Sequence, residues 1–183
     1  MHSVANLTKP ALVQLRDAFS QQGFDLRFVG GCVRDTLLGV TPHDVDLHTD
    51  ATPHEAAAIY ERLKLRWIPT GIAHGTITVV LDDDTYEITS LRRDVSTDGR
   101  HAVVQYTRDW RVDAERRDFT LNSMSMSLGG ELFDPFGGLK DLQAGVVRFV
   151  GDPAQRIRED YLRILRFYRF MGRFGQKFDQ DSR

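Results

Sequence analysis

Cysteine is almost absent: Cys32 is the only one in 183 residues. A single thiol excludes an intramolecular disulfide and a zinc site built from several cysteines. Lysine is scarce too. Lys9, Lys64, Lys140 and Lys177 are the only lysines among 24 basic residues, so 20 are arginine. No run of about 18 apolar residues occurs, so no membrane-spanning helix and no membrane partner are expected. The N-terminal stretch MHSVANLTKPALVQL has no basic head followed by an apolar segment, so no signal peptide is expected. These absences point to the cytoplasm. No internal repeat or low-complexity tract is present.

What is present fits one domain, or one domain and the start of another. At this length a fold hides roughly 70% of the surface its unfolded chain exposes, enough for a real core. The net charge of −2 argues against a general nucleic-acid binder. Its distribution is uneven: from Arg148 onward nine basic side chains face five acidic ones, a net +4, and residues 1–147 carry −6. Arginine's planar fork suits phosphates and base edges. An arginine-rich genome would produce the same bias.

The pattern along the chain is mixed α/β. Thr8 reads as the cap of a first helix, with Pro10 early in it and Gly23 at its end. DLRFVGG reads as a strand entering a glycine turn, CVRDTLLG as a short helix, and HDVDLHT as a strand. Thr52 and Pro53 open a helix through HEAAAIYERLK. GTITVVL and TYEITSL read as a hairpin turned by DDD. RRDVSTDGRHA has no periodicity and reads as a loop. DAERRDFTLNSMSM reads as a helix, GELFDPFGG as a strand ending in a turn, and VVRFVGD as another strand. PAQRIREDYLRILRFYRFMGRF reads as one long helix. Its second half is apolar nearly all round and needs covering on several sides.

Residues 29–49, VGGCVRDTLLGVTPHDVDLHT, put a double glycine and an arginine before two aspartates. Asp44 and Asp46 are two apart on an expected strand and so share a face. Paired acids repel and are held close mainly around a cation. Their hard oxygens suit Mg²⁺, which keeps few protein carboxylates and takes substrate phosphates. A solvated edge strand carries the same spacing. Context separates the two: Gly30, Gly31 and Arg34 supply a phosphate-facing turn and helix start. Glu87 stands in YEITS, with Tyr86 and Ile88 expected on the opposite face, so it could join the pair across the sheet. Three carboxylates can hold two metals about 3.5–4 Å apart. His43 and His48 flank the pair and read as exposed or supporting groups rather than zinc ligands.

Two further motifs carry chemistry. In RRDFTLN, Arg117, Asp118 and Asn122 fall within about one and a half turns of an expected helix. An aspartate there can accept from a ribose 2′-hydroxyl; a helix tied by salt bridges is the plain alternative. In REDYLR, Asp160 and Arg163 are three apart and would share one side of the long helix. A carboxylate accepts and a guanidinium donates. Cytosine and adenine both present an amino donor beside a ring-nitrogen acceptor, whereas guanine and uracil present the reverse. The pair could complement the first two and mismatch the others. An intrahelical salt bridge is again the alternative.

The segments GGCVRD, LLG, HDVDLHT, HGTITVV, YEITSLR, RRDFTLN, DPFGGLKDL and REDYLRILRFYRF occur in that order, from about Phe28 to Phe174. Together they resemble the head and early neck of the class II tRNA nucleotidyltransferases, the CCA-adding enzymes, with bacterial poly(A) polymerases as close relatives. The resemblance implies a polymerase-β-like α/β (α+β) fold: a head with a mixed sheet flanked by helices over residues 1–150, then the beginning of a helical, nucleobase-reading neck over 151–183. It implies two Mg²⁺ ions at a catalytic triad of Asp44, Asp46 and Glu87, and a triphosphate grip at Gly30, Gly31 and Arg34. It further implies ribose and nucleotide contacts at Arg117, Asp118 and Asn122, base recognition at Glu159, Asp160 and Arg163, and RNA contacts at Arg166 and Arg169. The implied partners are CTP, ATP and the 3′ end of tRNA or another RNA. GIAHGTITVV and YEITSLR look more like the CCA-adding side than the poly(A) side. RRDVSTDGRHA is similar to the flexible segment such enzymes use when switching from C to A. Members that add only CC tend to have it shortened, and that activity stays open. Family members continue into a body and tail that hold tRNA, so more chain, or a partner protein, is expected to cover the last helix.

Overall fold

The first helix, α1 (Pro10–Ser20), buries Leu12, Leu15, Ala18 and Phe19 at helical spacing. The structure is a computed structural model and describes residues 4, 7–97 and 102–175. Thr8 is not the cap expected of it. Lys9 stands at the N-cap without a side-chain capping bond, and the Thr8 hydroxyl donates to the Val4 carbonyl. Pro10 starts the helix instead, because its fixed φ is already helical. After it come β1 (Leu26–Val29), α2 (Gly31–Leu37), β2 (Asp46–Thr49), α3 (Pro53–Arg62), β3 (Arg66–Gly71), β4 (Thr76–Leu81) and β5 (Asp84–Ser90). The capping box at the start of α3 is formed: Thr52 and Glu55 satisfy each other's backbone N–H groups.

Seven strands make one mixed sheet in the order β3-β4-β5-β2-β1-β8-β9, where β8 is Ser125–Ser127 and β9 is Leu132–Phe133. The β2–β5 pair is parallel and the other neighbours are antiparallel. Alternation sends Phe28, Leu47, Ile77, Val79 and Ile88 into the core, where they meet α1 and α3 side chains such as Phe19 and Tyr60. This is the α/β head with helices against a mixed sheet that the sequence predicts.

Five segments depart from expectation. RRDVSTDGRHA is not a loop: β6 (Arg92–Thr97) pairs antiparallel with β7 (Ala102–Tyr106) as a separate ribbon, whose tip, 98–101, lies outside the described residues. Backbone bonds define it, and Arg93, Asp94 and Gln105 are exposed, so these positions carry no apolar alternation to read. DAERRDFTLNSMSM is not one helix. A short α4 (Trp110–Glu115) stops before Arg116, a 3₁₀ turn spans Thr120–Asn122, and β8 follows. Asp118 bonds the Phe119 amide and Ser123 bonds the Thr120 carbonyl, so short polar side chains outcompete the helix. GELFDPFGG keeps only the two-residue β9. VVRFVGD forms no strand but isolated bridge positions at Val146 and Phe149, the latter pairing with Phe119.

The fifth departure concerns the long terminal helix, which is two. α6 (Pro153–Glu159) ends at Asp160, whose backbone is extended (φ −156°, ψ 105°), and α7 (Leu162–Phe174) begins beyond it. The Asp160 carboxylate accepts from the Leu162 amide at 2.9 Å. An aspartate that can cap a new helix favours the break. α7 is docked on the head by an aromatic cluster: Phe119 lies 4.9 Å from Phe149 and 5.2 Å from Phe170, and Phe149 stacks on Phe167 at 5.6 Å. Its other side leaves Tyr161, Leu162, Leu165 and Tyr168 exposed.

Helix α5 (Gly138–Ala144) supports the turn that carries Asn122. Asp134 accepts from the Gly138 and Leu139 amides, and Asp141 accepts from the Thr120 hydroxyl at 2.7 Å. A Cβ at Gly138 would lie 2.2 Å from the Thr120 carbonyl oxygen. Gly138→Ala should therefore lower stability by about 1–3 kcal/mol, the range for overpacking. A lower urea midpoint at constant slope checks it; an unchanged midpoint would mean that α5 does not brace this turn.

Candidate active site

The parallel β2–β5 pair sets the acidic edge. Asp46 is the register partner of Glu87, and His48 of Thr89, so the four side chains share one face. Tyr86 and Ile88 are buried and Glu87 is exposed, as alternation requires. Asp44 lies just before β2 rather than on it, because the strand begins only at Asp46. It still acts on its neighbour: burial raises the Asp46 pKa, and the Asp44 charge adds to that rise against Arg117. Among the described residues no three His, Cys, Asp or Glu side chains gather closely enough to hold a metal ion. The donor chemistry nonetheless fits Mg²⁺. These are hard, solvent-facing oxygens, few in number, and their mutual repulsion is relieved by a cation.

Next to this edge opens a cleft of about 540 Å³. Eight arginines line it, from Arg34 and Arg92 through Arg116 and Arg117 to Arg163, Arg166, Arg169 and Arg173; its acids are Asp118 and Asp160. His48 and Thr89 line it too, so the Asp46–Glu87 pair sits one step along the same strands, at its rim. Such a concentration of guanidinium groups is a trap for polyanions.

Gly30 has φ +67°, and a Cβ there would lie 3.0 Å from the Arg117 guanidinium. Glycine thus lets Arg117 press against the β1–α2 turn. Arg34 is buried; its Nη1 donates to the Asn122 amide oxygen at 2.7 Å, its Nε to Asp35, and its guanidinium lies 4.4 Å over the Phe174 ring. Asn122 in turn donates to Asp118 at 3.2 Å. Asp118 also holds Arg166 through bonds of 2.8 and 2.5 Å. The expected phosphate and ribose groups are therefore one network, Arg34–Asn122–Asp118–Arg166. The helix predicted to carry Arg117, Asp118 and Asn122 is replaced by a bend and a 3₁₀ turn that gather them more tightly. Arg169 lies along the Phe170 ring at 5.4 Å.

The base-reading residues are also rearranged. Asp160 and Arg163 do not share a helix face, because the chain breaks at Asp160. Arg163 is held by the Glu159 carboxylate and the Arg156 carbonyl, each at 2.7 Å. Arg156 reaches the carbonyls of Arg116 and Arg117 at 2.6 and 2.7 Å, which fastens α6 to the site.

The sequence reading did not single out Asp113. It is buried at the centre of the site, bonding His48 Nδ1 at 3.0 Å and Arg116 Nε at 2.9 Å, with Arg117 at 3.6 Å. Burial alone would raise its pKa, but His48, Arg116 and Arg117 hold it far below the usual carboxylate range. Burial pushes the His48 imidazole down to about 4. The available signal was spacing: Asp113 precedes Arg116 by three and Arg117 by four, and His48 follows Asp46 by two. His43 is exposed, as expected.

Known proteins resemble this chain in sequence and fold. The family described as "Poly A polymerase head domain" matches residues 26–148. The CCA tRNA nucleotidyltransferase 1, mitochondrial, of Danio rerio is 51% identical over 169 residues, covering 92% of this chain and 39% of that protein. The crystal structure of the Bacillus stearothermophilus CCA-adding enzyme in complex with CTP superposes with a TM-score of 0.82 at 36% identity, covering 96% of this chain and 42% of that one. A tRNA nucleotidyltransferase solved with a primer tRNA and an incoming ATP analog gives 0.74 at 31% identity, covering 92% and 47%. The chain thus spans less than half the length of these relatives. With its polymerase-β-like head carrying the glycine turn, the acidic edge and the arginine cleft in the family's order, the chain belongs to the class II tRNA nucleotidyltransferase family.

Proposed function

We propose that this chain is the catalytic head, over about residues 1–150, and the first part of a base-reading neck, over 151–183, of an enzyme that adds CMP and AMP to the 3′ end of tRNA. The observation that carries the proposal is the Asp46–Glu87 pair at the rim of a cleft lined by eight arginines. That arrangement suits a nucleoside triphosphate whose α-phosphate is attacked by an RNA 3′-hydroxyl, with pyrophosphate leaving. Arg34 and Arg117, with the open turn at Gly30 and Gly31, would grip the triphosphate. Asp118, fixed by Asn122 and Arg166, is placed to accept from a ribose 2′-hydroxyl and so favour ribonucleotides. Arg166 and Arg169 would extend the positive surface toward the RNA backbone. Asp44, Asp46 and Glu87 would hold two Mg²⁺ ions. When bound, these supply charge neutralisation at the triphosphate and lower the pKa of the attacking hydroxyl. Glu87 would take that proton.

No helix among the described residues is long and apolar enough to cross a membrane. The cytoplasm fits this reading, as does the mitochondrion that the zebrafish relative's name gives.

A primer-extension assay tests the reading. The chain is incubated with Mg²⁺, labelled CTP, ATP, GTP or UTP, and tRNA lacking its last three nucleotides. Addition of C, C and A followed by a stop is the expected result. A long A ladder would move the activity to poly(A) synthesis, and C, C alone to CC addition. A second reading rests on the exposed stripe of Tyr161, Leu162, Leu165 and Tyr168. In that reading the chain is a nucleotide-binding head that incorporates nothing until further chain or a partner protein covers α7. CTP binding without product would favour it.

A further inference from the structure

His48 is buried on the catalytic face two residues beyond Asp46, with both ring nitrogens engaged. Arg117 Nη2 lies 3.2 Å from its Nε2. A guanidinium only donates, so Nε2 is the acceptor. The proton then sits on Nδ1 and is donated to Asp113 at 3.0 Å. One tautomer satisfies the whole chain Asp113–His48–Arg117. Asp113 is itself immobilised, because Arg116 Nε and the Arg92 amide also donate to it, at 2.9 and 3.2 Å. The far side of the Arg117 guanidinium rests against the Gly30 turn. Fixed on two sides, it presents its remaining N–H groups to the cleft.

Building on the nucleotidyltransferase reading of this cleft, we infer that His48 is a positioning residue for Arg117: its imidazole, anchored by Asp113, sets the guanidinium against the Gly30 turn in the attitude that receives the triphosphate. A long, single-stemmed arginine otherwise samples many rotamers, and holding it in place removes an entropy loss from each binding event. No metal or proton-transfer role is needed, since neither ring nitrogen is left over.

The test separates the two bonds. Glutamine at this position reaches as far as Nε2, so its carbonyl can still accept from Arg117. Asparagine reaches only the Nδ1 position and keeps the bond to Asp113 alone. Calorimetric titration of the full chain with CTP and Mg²⁺ should show His48→Asn weakening binding about tenfold, the order of one bond to a charged group. His48→Gln should stay within about threefold of wild type. In an Arg117→Met background, His48→Asn should cause no further loss, since its effect passes through the missing guanidinium. Equal losses in the Asn and Gln variants, no loss in either, or full additivity with Arg117→Met would overturn the inference. If His48→Asn does not fold, His48→Leu, which keeps similar bulk but neither bond, takes its place: a loss of about tenfold with His48→Gln near wild type supports the inference, and no loss overturns it. A wild-type chain that binds no CTP would remove the nucleotidyltransferase reading itself, and this inference with it.

Discussion

Asp46→Ala should abolish nucleotide incorporation and leave the fold intact. Asp46 is exposed at the start of β2, directly across from Glu87 and under the influence of Asp44. Removing one of three neighbouring like charges costs the apo protein little, so stability should change by no more than about 0.5 kcal/mol. The chemistry depends on that charge far more strongly. Loss of a metal-holding carboxylate forfeits several kcal/mol of transition-state stabilisation, and about 4 kcal/mol is a factor on the order of 10³. A single-turnover assay with CTP and trimmed tRNA, run beside a thermal melt, gives both readouts. Asp83→Ala, in the exposed β4–β5 turn, is the control and should retain full rate. Because a carboxyl must be deprotonated to bind a cation, and burial raises the Asp46 pKa, the apparent Mg²⁺ affinity should fall as pH drops toward that raised value. A variant that incorporates CMP at the wild-type rate would remove Asp46 from the metal site.

The β hairpin 76–90, the start of α3 at Thr52 and Pro53 and the glycine turn at 30–31 were legible because local chemistry decides them: alternation, the capping and helix-starting residues, and a positive φ. The segment 113–126 was not. Its apolar spacing suits a helix, and only tertiary partners reveal the competition, since the Thr120 amide bonds the Arg148 carbonyl and the Val150 amide bonds the Asp118 carbonyl. The Asp46 part of the acidic edge could be read because strand alternation fixes its face, whereas Asp44 precedes the strand, where alternation does not govern it. The third member of the edge could be read only because the parallel partner strand also alternates. Asp113 was invisible for the opposite reason. It is one acid among many in a charged stretch, and its importance lies in groups from β2, α4 and β6 converging on it.

The second large effect concerns base choice. Arg163→Ala should reduce discrimination of CTP and ATP against UTP and GTP by about 10²-fold, with Asp160→Ala close behind. A salt bridge between the two, the plain alternative for their spacing, does not occur here. The break at Asp160 commits its carboxylate to the Leu162 amide at the start of α7, and Arg163 pairs with Glu159 instead. The separation leaves an acceptor and a donor as distinct groups lining one cleft, as a C- or A-reading edge requires. A site built to hydrogen-bond a substrate can reject the wrong partner by about 10⁴ or more, because its own polar groups are left unpaired. Removing one charged donor gives up about 1.5–3 kcal/mol of that, roughly 10 to 150-fold. Glu159→Gln should fall between wild type and Arg163→Ala, since the Arg156 carbonyl still holds the guanidinium when the carboxylate charge is gone. Incorporation efficiencies for all four triphosphates on one trimmed tRNA measure each variant. Unchanged preference in both Arg163→Ala and Asp160→Ala would assign these residues to the α6–α7 junction alone. Graded loss in the order Glu159, Asp160, Arg163 would mean that the helix break, rather than helix periodicity, creates the reading edge.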